Sequence, residues 1–223
     1  MASSQPDAGP PALQLLAKGL EFWLRQQCDA LASCHLQLRG SLLRLLQGKL
    51  EGVDLEAEGA SYQQLRFRAV TVSSGPLAVR MGSLLRRQVV ELEQPFRIEG
   101  QGRFRAEDLQ ASFVEGAWRP MAEAACQALL TDGQLSQLEL VEGRLLLTVG
   151  GSDGAGCRVV AVTLAVVEGQ LELQLAADGA PGLEACESNR RHRLPCAPHL
   201  RLQSVHIEGQ ELVIRAEAQV FPG

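Results

Sequence analysis

Between Phe96 and Arg105 the chain alternates without a break. Phe96, Ile98, Gly100, Gly102 and Phe104 are apolar or glycine, while Arg97, Glu99, Gln101, Arg103 and Arg105 are charged or amide. A period of two is that of a β-strand with one buried and one wet face. Both glycines fall on the apolar face, where a missing side chain leaves room for a bend, a bulge or a close neighbour. The next residues, 106–113, switch at once to helical spacing, and strand-like alternation recurs along most of the chain. It appears at Val53 to Glu58, Leu65 to Ala69 and Leu77 to Met81, and again beyond residue 135. With 46% hydrophobic content over 223 residues there is ample material for a core. The predicted class is α+β, a long curved antiparallel sheet with its helices on one side.

An amphipathic helix is predicted over 11–32, following a disordered tail at 1–10. Leu13, Leu16, Leu20, Leu24, Cys28 and Leu31 recur every three or four residues, with Gln14, Lys18, Glu21, Arg25 and Asp29 on another face. Phe22 and Trp23 flank the stripe beside basic groups, a pattern that suits a membrane interface and equally a helix packed on its own sheet. Strands are expected over 42–105, helices over 106–131 in two pieces (106–113 and 118–131, the second with Pro120 in its first turn), and a meander of strands over 135–220. Val141-Glu142-Gly143, Val167-Glu168-Gly169 and Ile207-Glu208-Gly209 each join two alternating runs, with glycine supplying the positive φ of a tight turn. The run Gly150 to Gly156 reads as a hairpin loop between strands, so one domain is expected from 11 to 223.

Several function classes lose support on composition and motif. A formal net charge of −5 opposes generic nucleic-acid binding, which needs many basic groups on phosphates. No helix is apolar and long enough to span a bilayer, and the opening residues lack a basic signal-peptide start, so a cytoplasmic protein, peripheral at most on a membrane, is expected. Its six cysteines then read as thiols. Cys186, His192, Cys196 and His199 lie close in sequence, but without a short paired cysteine spacing they do not read as a metal site. No nucleophile, phosphate-loop or dinucleotide motif occurs, so neither catalysis nor a cofactor is expected. The neighbouring carboxylates Glu107 and Asp108 stand at a helix start, where capping explains them.

Four stretches then carry a resemblance: Leu46-Gln47-Gly48-Lys49-Leu50-Glu51-Gly52-Val53, Tyr62-Gln63-Gln64-Leu65, Gly82-Ser83-Leu84-Leu85-Arg86, and Gly102 through Ser112. From about Leu42 to Val220 the chain resembles the LmeA-like phospholipid-binding family, long catalogued only as a domain of unknown function. The resemblance implies a fold akin to tubular lipid-binding proteins, a long curved sheet wrapped around helices and an apolar channel. It also implies binding of anionic phospholipid rather than catalysis. Lacking the secretion signal of exported members, the chain looks more like the cyanobacterial branch.

Phe96, Ile98, Gly100, Gly102, Phe104, Leu109 and Phe113 are the candidate lipid-lining residues. Phe22, Trp23, Arg25, Arg86 and Arg87 are the candidate headgroup or membrane contacts, with a second basic group, Arg190 to Arg193, in the long loop before Pro195. Moving a chain of about sixteen carbons from water into an apolar groove is worth on the order of 12 kcal/mol gross. A bilayer is just as apolar, so net preference must come from headgroup and packing. The same amphipathic sheet also fits a structural or assembly partner of a membrane complex, burying a protein surface in place of a lipid.

Overall fold

A computed structural model of the chain describes residues 11–41, 43–44, 47–78, 93–130, 133–150, 156–176 and 190–221. The expected tail at 1–10, the basic pair Arg86 and Arg87, Cys186, and residues 151–155 of the expected hairpin loop lie outside them. The class is α+β, mostly antiparallel strand with three helices among the described residues.

A six-stranded sheet takes the order β1 (Ala30–Arg39), β3 (Gly52–Tyr62), β4 (Leu65–Ser74), β6 (Phe96–Arg105), β13 (Glu211–Val220), β12 (Leu200–Glu208). A five-stranded sheet runs β11 (Arg191–Leu194), β10 (Gln170–Leu175), β9 (Cys157–Val167), β8 (Arg144–Gly150), β7 (Gln134–Val141). The short strands β2 (Lys49–Leu50) and β5 (Leu77–Ala78) pair with one another. Helix α1 spans Pro11–Gln27, α2 spans Ala106–Leu109 and runs into a π-helical turn at Gln110–Val114, and α3 spans Arg119–Leu130.

The predicted strand 96–105 is β6 to the residue, paired on one side with β4 and on the other with β13. The tight turns expected at Gly143 and Gly169 are present with both central residues at positive φ: Glu142 at 48° with Gly143 at 76°, and Glu168 at 54° with Gly169 at 80°. That mirror-image turn matches the twist of a hairpin's strands. Gln63 at 49° and Gln64 at 62° build the same turn between β3 and β4 without glycine. The Asp29 carboxylate holds it by accepting from the Gln64 amide at 2.7 Å.

Three expectations are corrected. The first helix ends at Gln27, and 30–39 form β1, because Cys34, Leu36 and Leu38 alternate with His35, Gln37 and Arg39 and pair along β3. Residues 135–220 are not one meander, since β12 and β13 belong to the six-stranded sheet. Arg191 to Leu194 are a strand rather than part of a loop, extending the five-stranded sheet beside β10.

The two sheets meet where β12 packs on β9 and β10, with the Leu202 amide donating to the Gly169 carbonyl at 2.8 Å. Helix α3 touches both β7 and β11, the opposite edge strands of the five-stranded sheet. Helix α3 meets the two edges more closely than it meets β8 to β10, as in a sheet curled around a helix. The core is accordingly shared: Phe104 and Leu212 from one sheet, Val149 and Val162 from the other, and Leu129 from α3 belong to one buried cluster.

Candidate functional site

Between α3 and the curled sheet lies a cavity of about 190 Å³. Ala125 and Cys126, with Leu129 one turn further on, present the buried stripe of α3 to it. The five-stranded sheet supplies Leu135 and Leu138 of β7, Leu145 and Leu147 of β8, and Leu164, Leu171, Leu173 and Leu194 of the next three strands. Leu109 and Phe113 close it from α2 and the π turn, and Leu65, Phe104, Leu212 and Ile214 from the six-stranded sheet. A register shift between Leu135 and Gln137 lets both Leu135 and Leu138 face inward despite their odd spacing.

Among the described residues no lining side chain is charged or amide-bearing. Protein interiors leave few voids larger than a water molecule, and an apolar void of about 150 Å³ stays dry and accepts benzene. This space is of that kind and somewhat larger. The one titratable group among the described lining residues is the Cys126 thiol, 3% exposed, whose pKa is pushed up to about 11 by burial first and by the Glu123 carboxylate second. The thiol is therefore protonated at neutral pH, and the described lining suits apolar matter.

Of the residues the sequence singled out, Phe104, Leu109 and Phe113 line this space. Phe96, Ile98, Gly100 and Gly102 continue along the same face of β6, half-buried, opposite Val220, Ala218, Ala216 and Ile214 of β13. Neither glycine faces open space. A Cβ at Gly102 would stand 3.2 Å from the Phe104 ring and 3.4 Å from that of Phe67, and these two rings pack 4.8 Å apart, centroid to centroid. A Cβ at Gly100 would stand 3.1 Å from the Thr71 carbonyl oxygen.

The leucines of β7 to β11 are the lining that the sequence reading missed. Their alternation is plain at Leu145 and Leu147 and at Leu171 and Leu173. What one strand's pattern cannot say is which sheet curls around the helix.

The charged candidates divide. Phe22 is 63% exposed and Trp23 39%, while Ala17 is buried and Leu20 and Leu24 half-buried. Helix α1 thus packs its stripe on β1 and leaves the aromatics outside, with Lys18 and Arg25 exposed beside them. Arg191 and Arg193 are engaged: Glu172, only 7% exposed, lies 3.6 Å from the first and 3.1 Å from the second, and Glu168 lies 2.7 Å from Arg193. The Arg193 guanidinium is held above its ordinary pKa chiefly by its hydrogen bond to Glu172 and then by that to Glu168. Asp108 caps, its carboxylate accepting from the Arg105 amide at 2.9 Å.

Among the described residues no cluster of three or more His, Cys, Asp or Glu could hold a metal ion, and no helix is long and apolar enough to cross a membrane. No curated protein and no solved structure matches the chain. Residues 8–217 match the family model described as LmeA-like phospholipid-binding, and with that match covering nearly the whole sequence, around an apolar cavity, the chain belongs to the LmeA-like phospholipid-binding family.

Proposed function

We propose that this protein binds phospholipid without transforming it, an acyl chain entering the cavity between α3 and the curled sheet while the headgroup stays at the surface. The observation that carries this reading is the apolar lining that the described residues give a space of about 190 Å³. A pocket for a polar metabolite needs a few convergent polar groups to fix orientation, and among the described residues none lines this one. The curl of the five-stranded sheet about α3 supports likening the fold to tubular lipid-binding proteins. Exposed Phe22 and Trp23 beside Lys18 and Arg25 support a membrane-surface role for α1 and a preference for anionic lipid.

The test is direct. Purified protein is examined by native mass spectrometry and, after organic extraction, for phospholipid. Adducts of phospholipid mass at about one per chain, exchangeable against added vesicles, are the expected result. Protein that carries no phospholipid, and takes up none from phosphatidylglycerol vesicles, would overturn the reading in favour of a scaffold that buries protein on its apolar sheet.

A further inference from the structure

We infer that the packed rings of Phe67 and Phe104 are the stop that sets how much acyl chain the cavity accepts, an inference that rests on the lipid-binding reading above. Phe104 forms part of the cavity wall, and its ring leans back over Gly102 of its own strand, where the missing Cβ leaves the space it occupies. Phe67 closes on it from β4 at 4.8 Å between centroids. In register with Gly102, on β13, stands Ile214, the last residue of that strand to line the cavity.

Beyond that row the same face of β6 and β13 continues apolar. Gly100 lies between Val72 and Ala216, and the next row brings Ile98 beside Ala218. All of these residues are half-buried. Directly beside Gly100 the row carries nothing larger than valine, its leucines, Leu55 and Leu202, standing one strand further out on either side, so the wall just beyond the rings is low where the rings are high. A space little larger than a benzene-sized hole cannot contain a whole acyl chain. The ring pair stands where further methylenes would have to pass to reach the low wall. Ring size at Phe67 and Phe104 therefore fixes the number of methylenes that leave water inside the wild-type protein.

Binding of saturated lysophosphatidylglycerols with chains from about six to about sixteen carbons, measured by calorimetry below their micelle concentrations, reads this directly. Each methylene buried adds about fourfold in affinity, so wild-type affinity is expected to climb with length and then level off. In Phe67→Ala, and in the milder Phe104→Leu, the climb continues through at least two further methylenes before levelling. Circular dichroism on the same samples establishes folding, and Phe67, being only half-buried, supplies the variant whose fold is least at risk. Identical plateau lengths in wild type and in a folded variant would overturn the stop while leaving lipid binding intact. Absence of binding at every length in the wild type would overturn the lipid-binding reading and the stop with it.

Discussion

The Glu21 carboxylate on α1 accepts a hydrogen bond from the backbone amide of Leu36 on β1 at 2.8 Å. Strand β1 is the edge of the six-stranded sheet, where backbone amides lack a strand partner and invite pairing with another chain. One carboxylate thus fastens the helix and blunts the edge. Glu21→Ala is expected to cost about 1–2 kcal/mol, from the lost charged acceptor and an amide left half-buried. Glu21→Gln, which keeps an acceptor oxygen, should recover part of this. Chemical denaturation of the three proteins checks the order, and a Glu21→Ala variant as stable as wild type would show that α1 is held by its apolar stripe alone.

Gly102 and Gly100 are expected to respond differently to a side chain. At Gly102 an added Cβ meets two packed rings, so Gly102→Leu should overpack the interior and lower stability by about 1–3 kcal/mol. At Gly100 an added Cβ meets the Thr71 carbonyl oxygen at 3.1 Å and one methyl of Val72 at 3.4 Å but no ring, and the rest of a leucine extends over a half-buried face. Gly100→Leu should therefore be the more stable of the two and, because Gly100 lies beyond the ring pair, should leave the affinity for long chains unchanged unless the rings are first cut back by Phe67→Ala. Thermal midpoints and lipid content measured on the same samples separate these outcomes. Equal midpoints would mean that the ring pair yields freely.

Strand β6 was legible in the sequence because one face is wet and the other apolar along its whole length, and its limits agree with the reading from Phe96 to Arg105. The hairpin turns at Gly143 and Gly169 were legible for the same local reason. Strand β1 was hidden because Cys28 and Leu31 also extend the helical stripe of α1, so the two periods overlap at the junction. The chain breaks there since Asp29 is drawn out to hold the Gln64 amide and the Ser61 hydroxyl, partners more than thirty positions away. The cavity was only partly legible. Phe104, Leu109 and Phe113 are local to the informative strand, but their opposing leucines depend on α3 reaching both β7 and β11, a long-range pairing with no local signal. The pairing of Arg191 and Arg193 with Glu172 was likewise invisible before the register of β10 on β11 was known.

Cys126 gives a pH prediction with a definite sign. Its thiol titrates at about 11 in the folded chain against an ordinary value of 9.0. A folded pKa above the unfolded one means that the native state holds the proton longer. The contribution is complete below pH about 9 and is lost as pH rises through about 11, by at most about 3 kcal/mol. Cys28 and Cys34 are shifted upward too, mainly by burial, so the readout is the difference between wild type and Cys126→Ala. That difference in unfolding free energy should be flat up to pH 9 and shrink above it. A difference constant to pH 11 would show that the thiolate reaches solvent without opening the cavity.

The exposed aromatics of α1 carry the last prediction. Tryptophan prefers the boundary between lipid and water, and Trp23 stands outside the core beside Phe22, Lys18 and Arg25. With phosphatidylglycerol vesicles its emission should shift to the blue, and the shift should weaken in salt as the attraction of the two cations is screened over about 10 Å at 0.1 M. Trp118 must first be replaced, because it too fluoresces. Its indole donates to the Gln63 carbonyl at 3.0 Å and packs against Phe113, so Trp118→Phe keeps most of the contact and loses one hydrogen bond, costing about 1 kcal/mol. In that background Phe22→Ser should diminish the shift and Lys18→Glu should abolish its salt dependence. Emission unchanged by anionic vesicles would remove α1 from the membrane reading and leave its aromatics as exposed surface alone, without touching the cavity, which is lined by none of these residues.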